Sequence, residues 1–262
     1  MADVTQEEKR MPLLDHLVEL RTRLIYALGG FLLCFFVAFY FADAIFAFLV
    51  APLAEQMDRA NARMIYTALQ EAFFTYIKVA FFAAAFLSFP LVAAQIWLFI
   101  APGLYKNEKR AFLPFLIATP VLFFAGGALV YYFIFPLAWE FFLNFQTAGG
   151  PGMLPIQVEP KVDQYLSLVM QLIFAFGLGF ELPVFLMLLA RAGIVTADGL
   201  AEKRRYAIVG VFIFAAVLTP PDVISQIGLA IPILLLYEVS IVGARVIEKK
   251  RAERAAAEDE EV

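Results

Sequence analysis

QYLSLVMQLIFAFGLGFELPVFLMLLAR, residues 164–191, is long enough to cross a bilayer and almost wholly apolar. Its second half carries one carboxylate, Glu181. A helix rises ~1.5 Å per residue, so Glu181 falls ~15 Å below Arg191, the expected membrane edge. That depth is about the middle of a ~30 Å hydrocarbon core. A carboxylate there costs a few kcal/mol or more unless it faces protein, water or a partner. Gly177 and Gly179 leave flat backbone just before it. Pro183 removes a helical N–H and frees the Gly179 carbonyl, so a kink is expected here. Two readings stand: an internally satisfied Glu that locks a helix bundle, or a polar docking point inside the membrane.

The rest of the chain agrees with a membrane setting. It is 63% hydrophobic and only 17% charged over 262 residues, with a mean hydropathy of +0.81. A soluble domain is nearer half apolar and a quarter charged. The expected class is therefore an all-α integral membrane protein. The net charge of −4 says little about partners, because part of the acidic excess sits in the terminal run 258–261. Cys34 is the single cysteine and has no internal disulfide partner. No cleavable leader is expected, since the first apolar run is span-length and starts only after Arg23.

Outward from 164–191, hydropathy gives five more spans. In chain order the six are 24–41, 72–100, 112–135, 164–191, 206–218 and 223–244. Before the first, Leu13, Leu17, Leu20 and Leu24 form one apolar stripe on LLDHLVELRTRL, an expected surface helix with Asp15, His16, Glu19, Arg21 and Arg23 off the stripe. A Glu19–Arg23 pair at i,i+4 is the plain reading of those two charges. Span two is overlong and Pro90 is its natural bend; Gln95, Trp97 and Phe99 approach the inner interface, where Trp commonly anchors. Residues 42–70 and 136–163 are long loops expected to pack together as a cap on one side. Span five has about 13 residues, so ~20 Å, short of the hydrocarbon core. Pro232 interrupts span six, and the short pair implies local thinning of the bilayer or shielding by a partner.

Charge sets the orientation. Segments 1–23, 101–113, 191–205 and 243–262 hold 16 Lys and Arg; the loops on the other side hold 3. The bias places both termini in the cytoplasm and matches an even span count. The chain thus reads as a single transmembrane domain over 1–262: an amphipathic cytoplasmic segment 1–23, a six-helix bundle 24–244, concave with short spans five and six, and a charged tail 245–262. Residues 258–261 are expected to be disordered.

Reaction chemistry finds no foothold. The chain has no phosphate loop, no HExxH and no GxSxG, and His16 is the only histidine. A metal site, an enzyme and a cofactor are therefore not expected, and an intramembrane hydrolase lacks a nucleophile. The residues favour a receptor or scaffold. The alternative from another class is a proton-coupled small-solute transporter using Glu181 as carrier.

Six motifs then occur in order: HLVELRTRL at 16–24, APL at 51–53, EAFFTYIKVA at 71–80, QIWLFIAPGLYKNEKR at 95–110, FAFGLGFELPV at 174–184 and LTPPDVISQ at 218–226. With six spans and both ends inside, the chain resembles the TatC family, the multispanning core subunits of the twin-arginine protein translocase. The resemblance covers about residues 13–245. It implies a receptor in the bacterial cytoplasmic membrane that binds twin-arginine signal peptides of folded cargo on its cytoplasmic face, with Glu19, Arg21, Phe99 and Glu108 at that site. Carboxylates suit the task, because guanidinium makes bidentate bonds that lysine cannot copy. The resemblance further implies the single-span partners TatA and TatB, contacts with membrane lipid, self-association and export driven by the proton-motive force. It assigns Glu181 and Gln226 to intramembrane partner contact, and Pro52, Phe73 and Asp222 to outer structural or partner roles.

Overall fold

A computed structural model describes residues 13–57, 63–104, 109–219 and 222–260. They form ten α-helices: α1 Leu13–Tyr40, α2 Ala42–Gln56, α3 Glu71–Leu104, α4 Lys109–Leu129, α5 Phe135–Leu143, α6 Val162–Phe180, α7 Leu182–Arg191, α8 Ala197–Glu202, α9 Arg204–Leu218 and α10 Val223–Glu260. A π-helical turn, Val130–Ile134, joins α4 to α5. Pro136 follows that turn and cannot donate to the ladder; a widened turn is one way the backbone absorbs the missing bond.

Among the described residues, five helical stretches are long and apolar enough to cross a membrane: His16–Tyr40, Glu71–Phe99, Pro114–Leu143, Val162–Arg191 and Val223–Glu253. The expected fifth span is α9, whose 15 residues extend only ~22 Å. The protein is all-α and multi-pass.

Several boundaries differ from the sequence expectations. The amphipathic segment and span one are a single helix, because nothing between Leu13 and Tyr40 breaks the backbone ladder. Pro90 and Pro232 lie within continuous helices, α3 and α10; the gap that a proline leaves in a membrane helix is re-satisfied locally. Span six is therefore not short: α10 has 38 residues. Its tail is helical through Glu260 rather than loose. Ala, Arg, Lys and Glu are strong helix formers, and Lys249 pairs with Glu253 one turn on at 3.8 Å. The second long loop starts only after Leu143, since α5 continues span three.

Packing centres on α6, whose buried Leu166, Val169, Leu172 and Phe176 lie between α2, α3, α4 and α10. Phe86 and Phe89 of α3, Phe123 of α4 and Phe174 of α6 share one aromatic cluster; Phe89 and Phe123 stack at 3.6 Å. Between membrane helices there is no hydrophobic driving force, so close approach carries the association. At Gly126 a Cβ would lie 2.5 Å from the Phe176 carbonyl oxygen, and at Gly177 it would lie 2.7 Å from the Phe123 ring. These two glycines let α4 and α6 pack backbone to backbone. By contrast, only 6% of the apolar window of α1 is buried within the chain, and α1 packs almost solely on α3.

Candidate functional site

Three regions hold the residues singled out above. The first lies at the basic end, where the start of α1 meets the last turns of α3. The His16 ring stacks on Phe99 with centroids 4.4 Å apart. One turn on, Glu19 Oε1 accepts from Arg23 Nη2 at 3.3 Å, and Arg23 Nη1 donates to Gln95 Oε1 at 3.5 Å. The Glu19 side chain is 18% exposed, while Arg21 points into the surroundings. Helical spacing explains the set: His16, Glu19 and Arg23 share one face of α1, and Gln95 and Phe99 share one face of α3. Glu108 lies outside the described residues. Gln95 was not singled out as a site residue; a neutral amide near a helix end gives no sequence signal of its own.

The second region is the break in span four. Glu181 closes α6 and opens α7, with Pro183 in the first turn of α7. The helix break falls where the Gly–Pro pattern predicts a kink. The Glu181 side chain is half-buried and its Oε1 is enclosed without a hydrogen-bond partner. The Thr119 side chain of α4 is a polar neighbour of the carboxyl. Thr119 also accepts from Trp97 Nε1 at 3.3 Å. Trp97 is thus turned inward against the bundle, not out as an interfacial anchor: Phe115, Val184 and Leu188 supply a closer apolar lining for its ring. The space beside the two nearby glycines is filled. Gly177 receives the Phe123 ring, and a Cβ at Gly179 would lie 2.7 Å from Ile233 Cδ1 of α10. Gln226 sits seven residues before Ile233, about 10 Å nearer the opposite end. It therefore does not join Glu181 in one cluster.

The third region is that opposite end, where the two long loops meet. Ile65 N donates to the Pro160 carbonyl at 3.0 Å and Val162 N to the Ile65 carbonyl at 2.9 Å. Arg63 is ion-paired with Glu159, which raises the guanidinium above its ordinary range through a hydrogen bond and charge. Lys78 is paired with Asp163 and donates to Ser167 at 3.1 Å. Lys161 reaches Glu71 at 3.5 Å. Pro52 is buried within α2. Its missing N–H leaves the Phe48 carbonyl without a ladder donor, and Tyr131 Oη donates there at 2.7 Å. Tyr165 Oη caps the next carbonyl, Leu49, at 3.1 Å. Phe73 is exposed beside Phe74. Asp222 is buried and caps α10, its Oδ1 accepting from Ser225 N at 2.7 Å.

Back at the basic end, the connector after α7 is tied to α10. Arg204 grips Glu238 bidentately at 2.6 and 2.8 Å, Tyr237 Oη donates to the Leu200 carbonyl at 2.7 Å, and Ala197 N donates to Glu248 at 2.8 Å.

Comparison with known proteins fits this arrangement. The sequence profile of "Sec-independent protein translocase protein (TatC)" matches residues 15–232. A protein of that name from Magnetococcus marinus is 54% identical over 252 residues, 96% of this chain and 90% of that one. The Escherichia coli K12 protein is 41% identical over 238 residues, 91% of this chain and 90% of its own. Among solved structures, the crystal structure of the twin arginine translocase receptor TatC superimposes with a TM-score of 0.73 at 38% identity. It covers 89% of this chain and 99% of that one. The chain belongs to the TatC family of Sec-independent protein translocase proteins.

Proposed function

We propose that this TatC-family protein is the receptor subunit of a twin-arginine translocase and reads the arginines of a signal peptide at its basic, cytoplasmic end. The observation that carries this reading is the half-buried Glu19 carboxylate, on the α1 face whose His16 stacks on Phe99 of α3. Partial burial strengthens a charge-assisted bond, and guanidinium matches a carboxylate bidentately where ammonium does not. Phe99 gives the adjoining apolar residues of such a peptide a surface beside the acid. Glu108 supplies the second carboxylate in this reading. Both termini lie in the cytoplasm, α9 is the fifth of six spans, and the membrane is the bacterial cytoplasmic one, as the 16-to-3 charge bias supports. Glu181 is the contact for the single-span partners TatA and TatB, and the proton-motive force drives export. Site-specific photocrosslinkers at positions 19 and 108 test the core of the proposal. Both should capture a twin-arginine peptide and lose it to excess unlabelled peptide; capture from neither position overturns the assignment.

A further inference from the structure

The Glu19 carboxylate is not waiting empty. Arg23 holds it through one long contact of 3.3 Å, far from the fork that Arg204 makes on Glu238 at 2.6 and 2.8 Å. The other terminal nitrogen of Arg23 points at Gln95 Oε1, 3.5 Å away. The Arg23 side chain is 29% exposed, so its head has room to swing. We infer that Arg23 is an internal placeholder: it occupies the acid that the incoming arginine needs, and Gln95 is the neutral acceptor onto which it is displaced. This rests on the proposed role of Glu19.

The chemistry favours the exchange in one direction only. A single, long, partly exposed i,i+4 pair is weak. A ligand guanidinium that brings two parallel bonds displaces it. Arg23 then keeps an acceptor instead of being left as an unpaired cation against the half-buried Glu19–Gln95 surface. Until then Glu19 is partly neutralised, which lowers its attraction for stray cations.

A placeholder lowers the apparent affinity of every ligand by the same factor, the fraction of receptor with the acid free. Peptide affinities of the purified full-length protein in nanodiscs test this, using a synthetic twin-arginine signal peptide and its twin-lysine variant. Arg23→Gln should tighten both peptides about two- to five-fold and leave the arginine-to-lysine ratio unchanged. Gln95→Leu should weaken the arginine peptide in the parent protein, because Arg23 loses its refuge, and have no effect in the Arg23→Gln background. That non-additivity separates displacement from a general loss of positive charge, which predicts independent effects. Weaker binding in Arg23→Gln, or an equal Gln95→Leu effect in both backgrounds, overturns the placeholder. Loss of binding in Glu19→Gln is the control for the underlying site; unchanged affinity there overturns the site itself.

Discussion

Tyr131 donates its hydroxyl to the carbonyl of Phe48 at 2.7 Å while the two rings stack at 4.3 Å. The carbonyl is free because Pro52, four residues on, has no N–H to give it. A proline on α2 and a tyrosine on the π-helical turn thus form one unit.

Removing the tyrosine hydroxyl should therefore be costly only while the proline is present. Tyr131→Phe leaves a part-buried carbonyl unpaired, and about 1 kcal/mol of stability should be lost. Pro52→Ala restores a donor within α2. The Tyr131→Phe penalty should shrink to a few tenths of a kcal/mol in that background. Thermal unfolding of the four proteins in one detergent gives the cycle; strict additivity would show that the two residues are independent.

The ion pairs of the cap invite the opposite expectation. Arg63–Glu159 and Lys78–Asp163 are each more than a third exposed. Exposed pairs contribute about 0–1 kcal/mol. Arg63→Ala should shift the unfolding midpoint by no more than a degree or two. Asp222→Ala should cost about 1 kcal/mol, because it removes an N-cap acceptor, and Asp222→Asn should recover most of it. A larger effect for Arg63→Ala than for Asp222→Ala would reverse this ranking.

Helix type and order were legible because apolar runs of span length have few alternatives. Glu181 was legible as an anomaly, because a carboxylate is expensive in mid-span, whereas Pro52 stood out only through the APL motif. Their partners were not, because Tyr131 and Thr119 come from other helices and look ordinary in their own stretches. Gly177 and Gly179 show the limit most clearly. Sequence revealed two flat patches beside an acid, but Phe123 and Ile233, distant in the chain, decide that they are filled and not hollow. The tail misled in the other way: its charge suggested disorder, while its Ala, Glu and Arg content extends α10.

Gly126 should be the least tolerant glycine of the spans. Any side chain there meets the Phe176 carbonyl, which is backbone and cannot rotate away. Gly126→Val should separate α4 from α6 and lower stability by about 1–3 kcal/mol or more. Gly210→Val is the control, since a Cβ there meets nothing within 4 Å. Equal behaviour of the two variants would mean that the close approach of α4 and α6 is not what stabilises the bundle.

The intramembrane carboxylate gives the sharpest contrast. Thr119 serves two neighbours: it accepts from Trp97 at 3.3 Å and is a polar neighbour of Glu181. Thr119→Val should therefore leave both the indole N–H and the carboxyl short of a partner, and lower stability more than either Trp97→Phe or Glu181→Ala alone. Glu181→Ala removes one carboxyl whose Oε1 already lacks a partner within the chain. It should leave the fold and twin-arginine peptide binding nearly unchanged, because the basic-end residues Glu19 and Phe99 make no use of it. If Oε1 is completed by a polar group on a docking helix, Glu181→Ala should instead weaken partner co-purification, by about 0.6–2 kcal/mol of contact energy or roughly three- to thirty-fold in affinity. Glu181→Gln should be milder, since an amide still donates and accepts. Measuring unfolding, peptide affinity and partner retention on the same preparations separates these roles. Normal partner retention in Glu181→Ala would remove the docking role and leave Glu181 as a structural residue of the span-four hinge.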